Sequence, residues 1–227
     1  MTNVKICGIT NVDDAILANE LGASFLGLIF VSSSPRAIEM EMAERIADRL
    51  RNQVRLVGVF QNSELGEVKS TAERLGLDYV QLHGFEGPEF CSEIERPVIK
   101  AFPMKFHSPE IEKQGRSRRY DDVALVAEIQ RYPSNVQHFL FDKPKTADSE
   151  GWLENALARL ARIQSECRLP PYFFAGGLHS QNVRQVIDTL HPFAIDVASG
   201  VEAKPGIKDK RLMAEFMDAC KNSAART

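Results

Sequence analysis

The sequence has few cysteines, and no two of them are close together. The four are Cys7, Cys91, Cys167 and Cys220. Because no C-x-x-C pair is present, the chain lacks the ligand spacing of a zinc knuckle and the motif of a thioredoxin-like redox centre. Widely spaced cysteines indicate reduced thiols, as expected of a cytoplasmic protein.

Long apolar runs and an excess of positive charge are also missing. No apolar run approaches the ~18 residues of a membrane span, and no N-terminal segment has the pattern of a secretory signal. The formal net charge of -3 provides no basic surface for a nucleic-acid backbone. We therefore expect a cytoplasmic protein that binds neither membrane nor nucleic acid. A small anionic ligand needs only a local site and stays open.

What is present is a regular alternation of two patterns. Short apolar runs alternate with longer segments in which apolar residues recur every three or four positions, and this predicts β–α units. Strands such as "RLVGVF" are apolar on both faces, which is typical of parallel strands that are covered on both sides. The eight predicted strands are Val4–Ile6, Phe25–Ile29, Arg55–Phe60, Tyr79–Leu82, Val98–Phe102, Gln137–Phe141, Tyr172–Phe174 and Ala194–Ala198.

Eight β–α units favour one α/β fold over another. In 227 residues they fit a (β/α)8 or TIM barrel, whereas a doubly wound open sheet more often has five or six strands. No Gly-, Ser- or Pro-rich linker divides the chain, so we predict one barrel domain over 1–227. The long polar crossover at 103–122 is interpreted as a solvated loop or helix extension away from the site.

Reactive and glycine-rich features follow the predicted strands. Since the C-terminal ends of barrel strands share one face, these features should converge there. Each has a simpler structural explanation on its own: a strand-end cysteine is usually a small buried apolar group, and an aspartate often caps a helix. Their convergence favours a functional site. The features are Cys7, Arg36, Asn62, His83, Asp142, Gly176, Gly177, Ser199 and Gly200.

Two glycine-bearing turns, "AGGL" and "ASGVE", follow the seventh and eighth strands. Small residues there precede helices predicted at Ser180 and Asp209, so backbone N–H groups could approach an anion. A phosphate ester would suit such a site. The sequence thus predicts a phosphorylated small-molecule ligand held after strands seven and eight.

Several of these stretches, taken in order, resemble a known family. "VKICGIT", "SPR", "VGVFQN", "LDYVQLHG", "AGGLHSQNV" and "DVASGVEAKPGIKD" are similar to the motifs of phosphoribosylanthranilate isomerases, which catalyse an Amadori rearrangement in tryptophan biosynthesis. The resemblance extends from Val4 to about Lys210. It implies an intramolecular aldose–ketose isomerase that works by general acid–base catalysis without a metal or organic cofactor.

The resemblance also implies roles for individual residues. Cys7 would be the general base that takes the proton from ribose C2, and Asp142 the general acid that protonates the ring oxygen. Arg36 would bind the anthranilate carboxylate, and Asp196 the sugar hydroxyls; His83 would lie near the substrate with no chemical step. The phosphate would contact Gly176, Gly177, Ser199 and Gly200.

One segment departs from the family pattern. After its acid the family usually carries a glycine-rich segment before an aromatic residue, but here the chain reads "DKPKTADSEGW". The loop 143–151 should therefore close over substrate differently, and Asp148 is a competing candidate for the acid. Asp142 is preferred because it directly follows the strand "HFLF".

Two other functions remain open from the sequence alone. One is an isomerase or epimerase of another phosphosugar on the same barrel, although Arg36 would then have little to do. The other is a non-catalytic phosphometabolite-binding protein, against which the presence of both Cys7 and Asp142 argues. A homodimer is compatible with either function.

Overall fold

A computed structural model of the chain describes residues 2–104, 118–144 and 151–221. Eight parallel strands form a closed barrel in the order β1 to β8, and β1 pairs with β8 to complete it. The predicted (β/α)8 architecture is confirmed. The strands are β1 Asn3–Cys7, β2 Phe25–Ile29, β3 Arg55–Phe60, β4 Tyr79–Leu82, β5 Val98–Pro103, β6 Val136–Asp142, β7 Tyr172–Phe174 and β8 Ala194–Val197.

The helices of the described residues surround this barrel. They are α1 Val12–Glu20, α2 Met40–Leu50, α3 Leu65–Leu75, α4 Pro88–Ser92, α5 Arg118–Ile129, α6 Trp152–Glu166, α7 Val183–Leu190 and α8 Lys210–Lys221. A short hairpin of β9 Glu202–Lys204 and β10 Ile207–Lys208 lies between β8 and α8. Every described helix is too short or too polar to traverse a lipid bilayer.

Local chemistry explains where individual helices begin. Asn11 caps α1 by accepting a 2.8 Å hydrogen bond from the Asp14 backbone N–H. Asp209, where the sequence predicts a helix to begin, caps α8, because its carboxylate accepts from the N–H groups of Arg211 and Leu212, each at 2.9 Å. Most of the crossover 103–122 lies outside the described residues.

Apolar side chains fill two layers of the fold. The larger cluster lies between the strands and the surrounding helices, and a smaller one, including Phe25, Leu140 and Phe173, fills the barrel interior. Strand residues alternate between these layers, which gives every second residue to the interior. Interior positions near the C-terminal ends of the strands thus point into the mouth of the barrel.

Candidate active site

A cavity of about 700 Å³ occupies the barrel mouth at the C-terminal ends of the strands. It is where the sequence predicts the site, and all of the predicted residues line it except Asn62 and Gly200. Gly200 packs behind the cavity wall against Leu178. The predicted residues that line it are Cys7, Arg36, His83, Asp142, Gly176, Gly177, Asp196 and Ser199.

Cys7 lies at the end of β1 beside a buried ion pair. Its side chain is 7% exposed, and burial raises the pKa of its thiol above the ordinary value although Lys5 acts in the opposite direction. The Lys5 ammonium contacts the two oxygens of Asp196 at 3.0 and 3.1 Å. These groups meet because Lys5 and Asp196 are directly paired across β1 and β8.

Asp142 ends β6 and faces His83 across the cavity. His83 Nε2 lies 3.3 Å from Asp142 Oδ2, and the other Asp142 oxygen accepts a 2.8 Å bond from the Lys143 backbone N–H. Behind the imidazole, Gln81 Nε2 lies 3.0 Å from His83 Nδ1. If Gln81 donates, His83 Nδ1 accepts, so the neutral ring carries its proton on Nε2 and directs it toward Asp142.

Arg36 is held by a carboxylate that the sequence interpretation did not assign. Glu202 accepts from Arg36 Nε at 2.8 Å and from Nη2 at 2.7 Å, and also from Lys208 Nζ at 3.0 Å. Burial alone would raise the pKa of Glu202, but Arg36 and Lys208 together hold it below its ordinary value. The Glu202 carboxylate is therefore charged and holds the Arg36 guanidinium in a fixed orientation at the edge of the cavity.

The two glycine turns lie against each other at the rim. Gly177 has a φ of +67°, and a Cβ built on it would meet nothing within 4 Å, so this backbone borders open space. A Cβ on Gly200 would lie 1.8 Å from the Leu178 carbonyl oxygen. Only glycine permits so close an approach of the turn after β8 to the turn after β7.

The helix predicted to begin at Ser180 starts three residues later, at Val183. The helix begins later because the Asn182 side chain forms hydrogen bonds back toward the "AGGL" segment, which closes an additional turn before the helix. Its Oδ1 accepts from His179 N–H at 2.9 Å, and its Nδ2 donates to the Gly177 carbonyl at 3.0 Å. The start of α7 is thus further from the glycine turn than predicted, so any anion there depends more on the turn itself.

Comparison with known proteins identifies the family of this chain. Residues 4–219 match the family model of N-(5'-phosphoribosyl)anthranilate (PRA) isomerase. The chain belongs to this phosphoribosylanthranilate isomerase family. A relative of that name from Geotalea uraniireducens is 38% identical over 227 residues, covering 97% of this chain and 99% of its own.

Solved structures of phosphoribosylanthranilate isomerases have the same fold. One describes monomers of the dimeric enzyme from Thermotoga maritima, with a TM-score of 0.78, 35% identity, and coverage of 98% of this chain and 100% of that one. Another holds reduced 1-(o-carboxyphenylamino)-1-deoxyribulose 5-phosphate, with a TM-score of 0.74, 33% identity and coverage of 98% and 100%.

Three of the buried charged groups that the sequence interpretation missed in this isomerase-family protein are Lys5, Glu202 and Glu86. Lys5 had a readable signal: it stands two residues before Cys7 in an apolar strand, so both side chains must face the barrel interior. Glu202 lies within the quoted "DVASGVE" stretch, but only the structure reveals its contact with Arg36.

The third missed group, Glu86, anchors the loops after β3 and β4. Its oxygens accept from the backbone N–H groups of Asn62 at 2.7 Å and Gly84 at 2.8 Å, and it pairs with buried Lys100 at 3.1 Å. This fixes the loop that follows His83. Asn62 therefore serves loop structure, donating to Glu86 and accepting from the Phe85 N–H at 2.7 Å. The competing acid candidate, Asp148, lies outside the described residues.

Proposed function

We propose that this cavity catalyses the Amadori rearrangement of N-(5-phosphoribosyl)anthranilate to 1-(2-carboxyphenylamino)-1-deoxyribulose 5-phosphate. The observation that carries the proposal is that Cys7 and Asp142, a candidate base and a candidate acid, line one cavity with a held arginine and two glycine turns. The reaction is inferred from family membership, and the residues that line the cavity include a candidate for each role that the reaction requires.

Asp142 acts first, as the general acid. Its proton passes to the furanose ring oxygen, the C1–O bond breaks, and the anthranilate nitrogen stabilises C1 as a protonated Schiff base. His83, 3.3 Å from the Asp142 carboxylate, then stabilises the anion that remains. The Lys143 N–H on the other oxygen keeps the carboxylate oriented.

Cys7 acts second, as the general base. The positive nitrogen acidifies the C2–H bond, the thiolate removes this proton, and the electron pair forms the C1–C2 double bond of an enolamine. Tautomerisation of the enolamine gives the ketone product. Neither step requires a metal or an organic cofactor, because both are proton transfers by positioned side chains.

The remaining residues bind the two ends of the substrate. Arg36 is proposed to bind the anthranilate carboxylate through the part of its guanidinium that Glu202 does not occupy. Backbone groups of Gly176, Gly177 and Ser199 would hold the phosphate, with Gly200 supporting them from behind. Asp196 would accept from a sugar hydroxyl while it pairs with Lys5.

The test measures by fluorescence how fast purified variants consume phosphoribosylanthranilate. Cys7→Ser and Asp142→Asn should each lower kcat by ~100-fold or more, since positioned proton transfer contributes ~100- to 10,000-fold. The matched controls are Cys167→Ser, at the C-terminus of α6, and Asp188→Asn, on the exposed side of α7. Turnover close to wild type in Cys7→Ser would reject the base.

A further variant separates the two acid candidates. If Asp148→Asn abolishes turnover while Asp142→Asn does not, the acid is Asp148 and the placement above is wrong. Circular dichroism of each variant distinguishes loss of catalysis from loss of folding.

The proposal extends to assembly and location. We expect 1–227 to be one domain that associates as a homodimer, as the Thermotoga maritima relative is described as dimeric. A cytoplasmic location is consistent with its four free cysteines. Light scattering of the purified chain, at concentrations spanning two decades, would reveal a monomer if the expected assembly is wrong.

A further inference from the structure

Lys5 is a charged residue in a place where charge is costly. It is fully buried inside the barrel, on β1. Burying an ammonium group costs several kcal/mol even in real proteins, and an apolar side chain of similar volume often serves stability as well. Stability alone therefore gives little reason for a lysine at this position.

A second buried lysine provides a contrast. Lys100 on β5 donates to the carbonyl oxygens of Leu82 at 3.2 Å and Gly84 at 2.7 Å, as well as to Glu86. Its function is thereby structural, since it fastens a loop. Lys5 instead pairs with a group of the site itself, the Asp196 carboxylate, and lies beside Cys7.

The barrel makes room for this contact at Gly27 on β2. A Cβ at that position would lie 2.7 Å from Cys7 Sγ and 3.0 Å from Lys5 Nζ. The space left by the missing side chain is thus where the thiol and the ammonium come together.

We infer that Lys5 is a positioning residue for the reaction: its ammonium stabilises the thiolate form of Cys7, and Asp196 keeps Lys5 charged and directed at the sulfur. The inference deepens the proposed function and rests on it, because it assumes Cys7 as the base. In the transfer itself the C2–H bond breaks, an S–H bond forms, and the C–H electron pair enters the enolamine. Lys5 gives up no proton and retains its charge through Asp196.

The charges around the sulfur support this assignment. Burial raises the pKa of Cys7, Lys5 is the strongest influence in the opposite direction, and Asp196 adds to the rise. Lys208 lowers the pKa more weakly. The charged and titratable groups of the surrounding elements are Lys5 on β1, Arg36, His83, Asp142 on β6, Lys143 directly after β6, Asp196 on β8, Glu202 on β9 and Lys208 on β10.

The experiment measures how fast iodoacetamide alkylates Cys7 as a function of pH, with the modified peptide quantified by mass spectrometry. Because the thiolate is the reacting form, the midpoint of the profile reports its formation. In Lys5→Met the midpoint should rise by about one pH unit or more, which lowers the rate about 10-fold at pH values below the midpoint. Lys100→Met, the matched control for losing a buried lysine, should leave the midpoint unchanged.

A purely structural role would change the maximal rate by altering access to the thiol, but would not raise the midpoint in Lys5→Met while Lys100→Met leaves it unchanged. If Lys5→Met does not fold, the double variant Lys5→Met/Asp196→Asn removes the pair together and should give a smaller rise. An unchanged midpoint in the folded Lys5→Met variant or in the double variant would overturn the inference.

The result is distinguishable from failure of the proposed function, because alkylation requires no turnover. Loss of activity in Cys7→Ser together with unchanged midpoints would keep the base and reject Lys5. Shifted midpoints together with full activity in Cys7→Ser would reject Cys7 as the base, and with it the part assigned to Lys5 in catalysis.

Discussion

The close approach of the two glycine turns gives a quantitative prediction for Gly200→Ala. The new Cβ would lie 1.8 Å from the Leu178 carbonyl oxygen and 2.9 Å from its carbonyl carbon. The turns would have to separate by more than ~1.5 Å to reach the ~3.5 Å of an unstrained contact. Overpacking of this kind costs about 1–3 kcal/mol, which should lower the Tm by about 3–10 °C in a chain of this length.

Phosphate binding should suffer as well. N–H···O bonds are effective only over about 2.7–3.2 Å, so a displacement of about 1.5 Å breaks any bond made by the shifted turn. One lost hydrogen bond to a charged group costs about 1.5–3 kcal/mol, a weakening of about 10- to 100-fold. Calorimetric titration with reduced 1-(o-carboxyphenylamino)-1-deoxyribulose 5-phosphate measures this directly. The dephosphorylated analogue should bind wild type and variant equally poorly.

Gly66→Ala is the matched control, because Gly66 is exposed in α3 and a Cβ there meets nothing within 4 Å. Alanine should stabilise that helix by up to ~1 kcal/mol and leave phosphate binding unchanged. If Gly200→Ala lowers the Tm but the Kd for the phosphorylated analogue stays at the wild-type value, the phosphate is bound elsewhere. An unchanged Tm would refute the packing argument itself.

Three further predictions follow from groups around and below the cavity. Arg36→Ala should raise KM and erase discrimination between anthranilate and aniline derivatives, and equal preference for both substrates in wild type would contradict the carboxylate-binding role of Arg36. Glu202→Gln should raise KM about 10-fold with little change in kcat, because Arg36 is then held less firmly. Gln81→Leu should lower kcat at nearly constant Tm, because it releases the tautomer of His83 that directs Nε2–H toward Asp142, and an unchanged kcat would exclude that role. Burial lowers the pKa of His138 below the ~6.5 of the unfolded chain. The unfolded state therefore binds protons more readily, and stability falls as pH drops below about 6.5. His138→Phe should flatten the fall in Tm between pH 7 and 5, and parallel curves of Tm against pH for variant and wild type would refute this role of His138.

The strands were predictable because a parallel barrel strand is covered on both sides and reads as a nearly unbroken apolar run. The structure changes the predicted bounds by no more than a residue, for example by ending β8 at Val197 rather than Ala198. The rim location of Cys7 and Asp142 followed from topology alone, since parallel strands end on the same face. Their roles in catalysis stay predictions.

The charged partners could not be predicted in the same way. Arg36 and Glu202 are 166 residues apart in sequence, and their contact depends on how the hairpin after β8 folds back over the rim. Lys5 pairs with Asp196 only because closure of the barrel sets that register between β1 and β8. The start of α7 was misplaced for a local reason, since Asn182 bonds back to Gly177 instead of extending the helix.

The seam between β1 and β8 also bears on when the site comes into existence. Lys5 and Asp196 are 191 residues apart, and Lys208 reaches the Cys7 carbonyl oxygen across 201 residues. Contacts of such long sequence separation form late, because loop closure must be completed before they contribute. During synthesis Cys7 is therefore present before the ion pair between Lys5 and Asp196 can form, because that pair requires β8 near the far end of the chain. The site is thus incomplete until the barrel closes, and β8 completes both the barrel and the ion pair beside Cys7.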